Sequence, residues 1–264
     1  MPAGHSRQTG GFVVEQHLDI PTPDGTIDAI LVRPDGTTPF PGVILLTDIF
    51  GNRPGNTDVA SQIAKHGYVV LTPNIFFRTA RPPVFDLESD FSDERTMAKL
   101  RALTSPLTPD VMERDGSAYV DFLAAQPGVR HSPMGVVGFC FAGQFAMRVA
   151  AARPDKIGAA ASFHGGGLVN DTEHSPHLLL PRIKANLYFG HAENDRGMPA
   201  EAIEKLNGAL HAWGGKYGSE VYTGAGHGWM MPDRAIYNPP QAQRGLDNLI
   251  ALFDNALQHA PATA

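Results

Sequence analysis

The sequence predicts an α/β protein: a mostly parallel sheet with an antiparallel N-terminal start and helices on both faces. Three observations predict it. Short apolar runs alternate with helical patterns along most of the 264 residues, the signature of strand–helix–strand units. Several runs, such as GVILLT at 42–47, are apolar without alternation, as strands covered on both faces must be. At the start, two alternating segments flank a Pro- and Gly-bearing turn, which reads as a hairpin.

In chain order, strands are expected over Phe12–Leu18 and Ile27–Val32, joined by a turn at Pro21-Thr22-Pro23-Asp24-Gly25. Gly42–Thr47 is the first buried strand. A helix over Asp58–His66 ends at Gly67, and Tyr68–Thr72 is the next buried strand, stopped by Pro73. Phe76–Asp93 is rich in Pro and Asp and reads as a long surface excursion, a kind of segment that is often functional. Helices follow over Glu94–Leu103 and Asp110–Ala125, then a strand over Met134–Val137 and a helix over Phe141–Ala152. Gly158–Phe163 is a strand, His164–Pro181 a loop, Asn186–Phe189 a strand, Pro199–His211 a helix, Ser219–Tyr222 the last strand and Gln241–His259 a closing helix. With no internal repeat and no linker, residues 1–264 read as a single domain, with 1–11 and 260–264 as flexible ends.

Bulk properties narrow the function. The formal net charge is −6 and there is no long basic run, which argues against nucleic acid as a partner. No run of about 18 apolar residues predicts a membrane span, and Met1–Gly11 lacks the apolar core of a signal peptide, so a cytoplasmic protein is expected. No H-E-x-x-H or comparable cluster appears among the 11 histidines, so no metal is expected. No G-x-G-x-x-G follows the first strand, which removes a dinucleotide site. There is one cysteine, Cys140, which can form no disulfide within the chain.

Ligands of such sheets bind beyond the carboxyl ends of the strands. Cys140 falls there, in Val136-Val137-Gly138-Phe139-Cys140-Phe141-Ala142-Gly143, on a strand-to-helix turn. A nucleophile held on so sharp a turn needs small residues two before and two after it, because backbone passes close to backbone. Gly138 and Ala142 meet that need. A helix N-terminus also favours thiolate, and the Phe141 N–H would face a developing oxyanion. Asp195 lies beyond the strand ending at Phe189, and His227 beyond the last strand, in Gly226-His227-Gly228. The order nucleophile, acid, histidine is that of α/β-hydrolases. In this reading His227 is the general base and Asp195 fixes its tautomer. Glu193 is an alternative orienter, His191 a competing base placed too early in its loop, and His164 a candidate pocket residue. Other readings are an isolated buried cysteine, a hydrolase-fold protein that only binds a ligand, and a thiol that senses oxidants.

With these residues in place, the chain resembles the dienelactone hydrolases (carboxymethylenebutenolidases), from about Val13 to the C-terminal helix. The resembling residues are Asp48-Ile49-Phe50-Gly51, Gly67-Tyr68-Val69-Val70 with Pro73, Gly138 to Gly143, Asp195 with Pro199, and Gly226-His227. The resemblance implies an α/β-hydrolase fold, a Cys140–His227–Asp195 triad, and an oxyanion hole from the N–H groups of Phe141 and Ile49. It implies a small-molecule ester or lactone as substrate and a monomer, and no cofactor is expected, since thiolate, imidazole and oxyanion hole suffice for acyl transfer. Asp48 stands where the family commonly has a glutamate that holds the resting thiol, which makes Asp48 a thiol-holding or pocket candidate. The family's two substrate-clamping arginines fall at Met97 and Met231, with Arg95, Arg101 and Arg234 nearby. Trp229-Met230-Met231 after His227 predicts a more apolar mouth and a less charged ester, lactone or thioester.

Overall fold

A computed structural model describes residues 13–258. The predicted flexible ends, 1–11 and 260–264, lie outside the described residues, as do Phe12 and His259. One eight-stranded sheet runs in the order β1-β2-β4-β3-β5-β6-β7-β8. β1 (Val13–Thr22) and β2 (Gly25–Pro34) form an antiparallel hairpin, and β2 pairs antiparallel with β4 (Val69–Pro73). From β4 onward the sheet is parallel, through β3 (Gly42–Leu46), β5 (Met134–Phe139), β6 (Ile157–Phe163), β7 (Asn186–Ala192) and β8 (Tyr217–Tyr222).

Period-two alternation in the central strands feeds two cores. Ile44 and Leu46 of β3 face one layer, with α2 (Glu94–Thr104), α3 (Pro109–Ala124), α4 (Ala142–Ala152) and α5 (Ala200–Trp213). Val43 and Leu45 face the other, with α1 (Pro54–Lys65) and α6 (Pro239–Phe253). Every residue of β3, β4 and β5 is buried, which is why these runs read as unbroken apolar stretches. Among the described residues, no helix is long and apolar enough to cross a membrane.

Several boundaries differ from the sequence expectation. The strands of the first hairpin run on through Pro21 and Thr22 and pair up to Thr22 with Gly25, so the turn is only Pro23-Asp24. Proline is tolerated here because β1 is an edge strand. Helix α1 starts at Pro54 rather than Asp58. Proline at the first helical position has a preset φ and no N–H to leave unpaired. The loop after β6 closes with a short 3-10 helix at Pro176–Arg182. Strand β5 continues through Phe139, so the sharp turn begins directly at Cys140. Strand β7 continues through Ala192, which buries His191 within it.

Strand order reverses direction about β3, whose neighbours β4 and β5 lie on opposite sides. A crevice forms at such a point, beyond the carboxyl ends of the strands. The chain leaving β3, β5, β6, β7 and β8 carries, in turn, Asp48-Ile49, Cys140, His164, Asp195 and His227.

Candidate active site

Cys140 sits between β5 and α4 with a left-handed φ of 55°. A side chain there costs about 1–3 kcal/mol of backbone strain, which the surroundings must hold in place. They do so through backbone hydrogen bonds. The Cys140 N–H donates to the Phe163 carbonyl at 3.1 Å, and the Cys140 carbonyl accepts from Gly143 at 3.0 Å and Gly166 at 3.3 Å. Gly138 is required by close approach: a Cβ there would lie 2.5 Å from the Ala142 carbonyl carbon and closer still to its oxygen.

Sequence-distant side chains meet at this turn. His227 Nε2 is 3.0 Å from Cys140 Sγ, and His227 Nδ1 is 2.6 Å from Asp195 Oδ2. The other Asp195 oxygen accepts from the Gly197 N–H at 2.8 Å. Burial opposes protonation of His227, but hydrogen bonds and charge from Asp195 and Cys140 outweigh it and push its pKa up to about 10. Burial would raise Asp195, yet the bonds from His227 and Gly197 hold its carboxyl below the usual range. This pairing favours imidazolium, the form that can give a proton to a leaving group.

Helix α4 has no side-chain N-cap, and although the Gly143 N–H is taken by the Cys140 carbonyl, the positive end of the helix still faces the cleft, where it favours an anion. Phe141 precedes α4 directly, and Ile49 lines the cleft. Among the described residues, no hydrogen bond engages the N–H of either. Phe141 is the donor expected from the strand-to-helix turn, and Ile49 the one that the family resemblance implies.

The cleft has a volume of about 730 Å³, within the size range of small-molecule sites. Phe50, Phe91, Met97 and Leu100 supply apolar lining to the same cleft as Cys140 and His227. This lining draws on the 76–93 excursion, whose Phe85 and Phe91 pack edge to face with each other and with Phe50 of the loop after β3, with centroids 5.3–6.2 Å apart. Arg234 also lines the cleft. Its guanidinium lies 4.1 Å from the Phe50 ring centre and donates to the Leu87 carbonyl. Arg196, exposed beside Asp195, adds a second cationic group that sequence reasoning missed. Its position directly after Asp195 was the available signal. Arg95 and Arg101 do not reach the cleft; Arg101 pairs with Glu94 at the surface.

His164 lines the cleft with a left-handed φ of 40°. Its ring is fully buried, edge-on to His227 at 5.2 Å and to Trp229 at 5.1 Å, and neither ring nitrogen has a partner among the described residues. Burial, reinforced by His227, holds its pKa well below the imidazole range, so it is neutral.

Several expectations are corrected. Trp229 is not a pocket residue. It is fully buried behind His164 and stacks on Tyr222 at 4.8 Å. Met230 and Met231 are core residues as well, because Gly228, with φ 103°, turns the chain inward after His227. The apolar mouth comes from Phe50, Phe91, Met97 and Leu100 instead. Asp48 lines the cleft, but its carboxylate holds Arg53, through Nη1 at 2.6 Å and Nη2 at 2.9 Å, and the Phe50 N–H at 3.0 Å, rather than the thiol. Glu193 does not orient His227; it accepts from the Gly224 N–H at 2.9 Å and braces the histidine loop. His191 bonds Ser219 Oγ from within β7, and burial pushes its pKa down to about 4.

Comparison with known proteins places this arrangement in a family context. The profile of the dienelactone hydrolase family matches residues 27–257. A Synechocystis sp. protein assigned as a carboxymethylenebutenolidase is 28% identical, over 91% of this chain and 96% of its own. A Bradyrhizobium sp. protein assigned as a 2-oxo-3-(5-oxofuran-2-ylidene)propanoate lactonase is 26% identical, over 88% and 91%. The fold matches a crystal structure assigned as a dienelactone hydrolase from Klebsiella pneumoniae, with TM-score 0.81, 24% identity and coverage of 92% of this chain and 98% of that one.

Proposed function

The chain belongs to the dienelactone hydrolase family, and on that premise we propose that it hydrolyses an ester or lactone through an acyl-enzyme on Cys140. The observation that carries the reading is the unbroken chain Cys140 Sγ, His227, Asp195, with links of 3.0 and 2.6 Å, at the start of an uncapped helix. Cys140 Sγ attacks the carbonyl carbon, and the carbonyl oxygen takes the negative charge against the N–H groups of Phe141 and Ile49. Collapse of this adduct breaks the bond to the alkoxy oxygen, which takes the proton from His227. A thioester remains on Cys140. Neutral His227 then removes a proton from water as the hydroxide attacks the thioester, and the acid departs as the thiolate and imidazolium re-form. Asp195 keeps Nε2 directed at these atoms throughout.

The walls suggest the substrate class. An apolar body fits against Phe50, Phe91, Met97 and Leu100, while Arg196 and Arg234 offer donors to one anionic group at the rim. The substrate is therefore an ester or lactone of moderate size, neutral or singly anionic.

The test is a burst-phase assay on p-nitrophenyl acetate with intact-mass detection, beside Cys140→Ala and His227→Ala. The expected result is an acetyl adduct on Cys140 in the native protein and loss of turnover in both variants. Unchanged turnover in Cys140→Ala would remove the nucleophile and leave a ligand-binding hydrolase fold.

A further inference from the structure

Arg53 lies outside the triad, at the N-cap of α1, and its side chain is almost fully buried at 8% exposure. It is the centre of an ion-pair chain. Both terminal nitrogens grip Asp48, and Nε donates to Asp233 Oδ2 at 2.9 Å. Nη1 also reaches the Gly51 carbonyl at 3.3 Å. Asp48 in turn accepts from the Phe50 N–H. The guanidinium therefore grips the Asp48–Gly51 loop on both sides of Ile49.

The far end of the chain is equally built. Asp233 belongs to the segment after His227 and immediately precedes Arg234. Its carboxylate caps α1 by accepting from the Gly55 N–H at 3.2 Å, where the helix dipole favours an anion. Gly55 is what makes room: a Cβ there would fall 2.5 Å from Asp233 Oδ1 and closer to the rest of the carboxylate. A planar fork with fixed donors suits this job, since a flexible ammonium cannot span two carboxylates in one geometry.

We propose that Arg53 is a positioning residue for the oxyanion hole, tying the Asp48–Gly51 loop to the segment after His227 so that the Ile49 N–H stays fixed at the cleft. The inference rests on the acyl-enzyme reading above. It gives Asp48 a role other than holding the thiol. Asp48 anchors the oxyanion loop, and the thiol is left to His227.

Two variants break the strut from opposite ends. Arg53→Lys keeps the charge and loses the fork. Gly55→Ala evicts Asp233 and leaves every charge in place. Each is compared with the native protein by kcat and KM on p-nitrophenyl acetate. Two reagents then interrogate the same thiol: a trifluoromethyl ketone, whose adduct carries an oxyanion, and iodoacetamide, whose adduct does not. Cys140 is the only cysteine, so all alkylation reports on it. The expected result is a fall in kcat of about 100-fold, the cost of losing one oxyanion donor, with KM nearly unchanged. Inhibition by the ketone weakens in parallel, and alkylation by iodoacetamide keeps its native rate. A general loosening of the site would slow both reagents alike, and that outcome overturns the proposal, as does native kcat in both variants. If Cys140 acylates in the native protein but the variants match it, only the strut fails. If Cys140→Ala retains turnover, the acyl-enzyme reading falls and the strut with it.

Discussion

A methyl group on Gly138 tests the turn that holds Cys140. In Gly138→Ala the new Cβ would stand 2.5 Å from the Ala142 carbonyl carbon and 3.0 Å from the Gly143 nitrogen. Ordinary carbon–carbon contact is about 3.5–4.0 Å, so relief requires a displacement of about 1 Å. Both atoms are backbone at the start of α4, and no side chain can swing aside to absorb it. The N-terminus of α4 must move from the end of β5, carrying the Phe141 N–H and the Cys140–His227 contact with it. Overpacking of this kind costs about 1–3 kcal/mol of stability. A 1 Å error among reacting groups costs about 100-fold in rate. The assay is kcat/KM on p-nitrophenyl acetate together with a thermal melt. Gly208→Ala serves as control, because nothing lies within 4 Å of its added Cβ in α5. That substitution should leave activity intact and stabilise the helix by about 0.5–1 kcal/mol. Near-native kcat/KM in Gly138→Ala, with the protein folded, would refute the claim that close approach at this glycine sets the nucleophile.

Two further outcomes are expected. His227 is held above its ordinary value, so the stability it contributes is fully present below about pH 6.5 and is lost as pH rises through about 10. The melting-temperature gap between native protein and His227→Gln should therefore narrow over that window, and a gap constant with pH would contradict the pairing. Arg234→Met should raise KM for an ester bearing a carboxylate by about tenfold or more, the worth of a charge-assisted hydrogen bond. KM for a neutral ester of the same size should change little; equal effects on both would mean that Arg234 only supports the Phe50 wall.

Much of this protein is legible in its sequence because local rules act over a few residues. Unbroken apolar runs mark the covered strands, and Gly138 and Ala142 around Cys140 mark the sharp turn. The placement of Asp195 and His227 just past strand ends points to one rim, since parallel strands put their carboxyl ends on the same side. Boundaries are less legible where proline plays two parts. Pro54 opens a helix, and Pro21 is carried within an edge strand. The segment after His227 is not legible, because Trp229, Met230 and Met231 are apolar whichever way the chain turns, and only the backbone at Gly228 decides that they face the core. The contacts that define the site beyond the triad belong to the tertiary structure alone. Arg53 meets Asp233 across 180 positions of sequence, and Arg234, Phe91 and Cys140 share a cleft only because the sheet order reverses at β3. No periodicity encodes such meetings. They depend on which strands become neighbours, and that is settled by burial over the whole sheet.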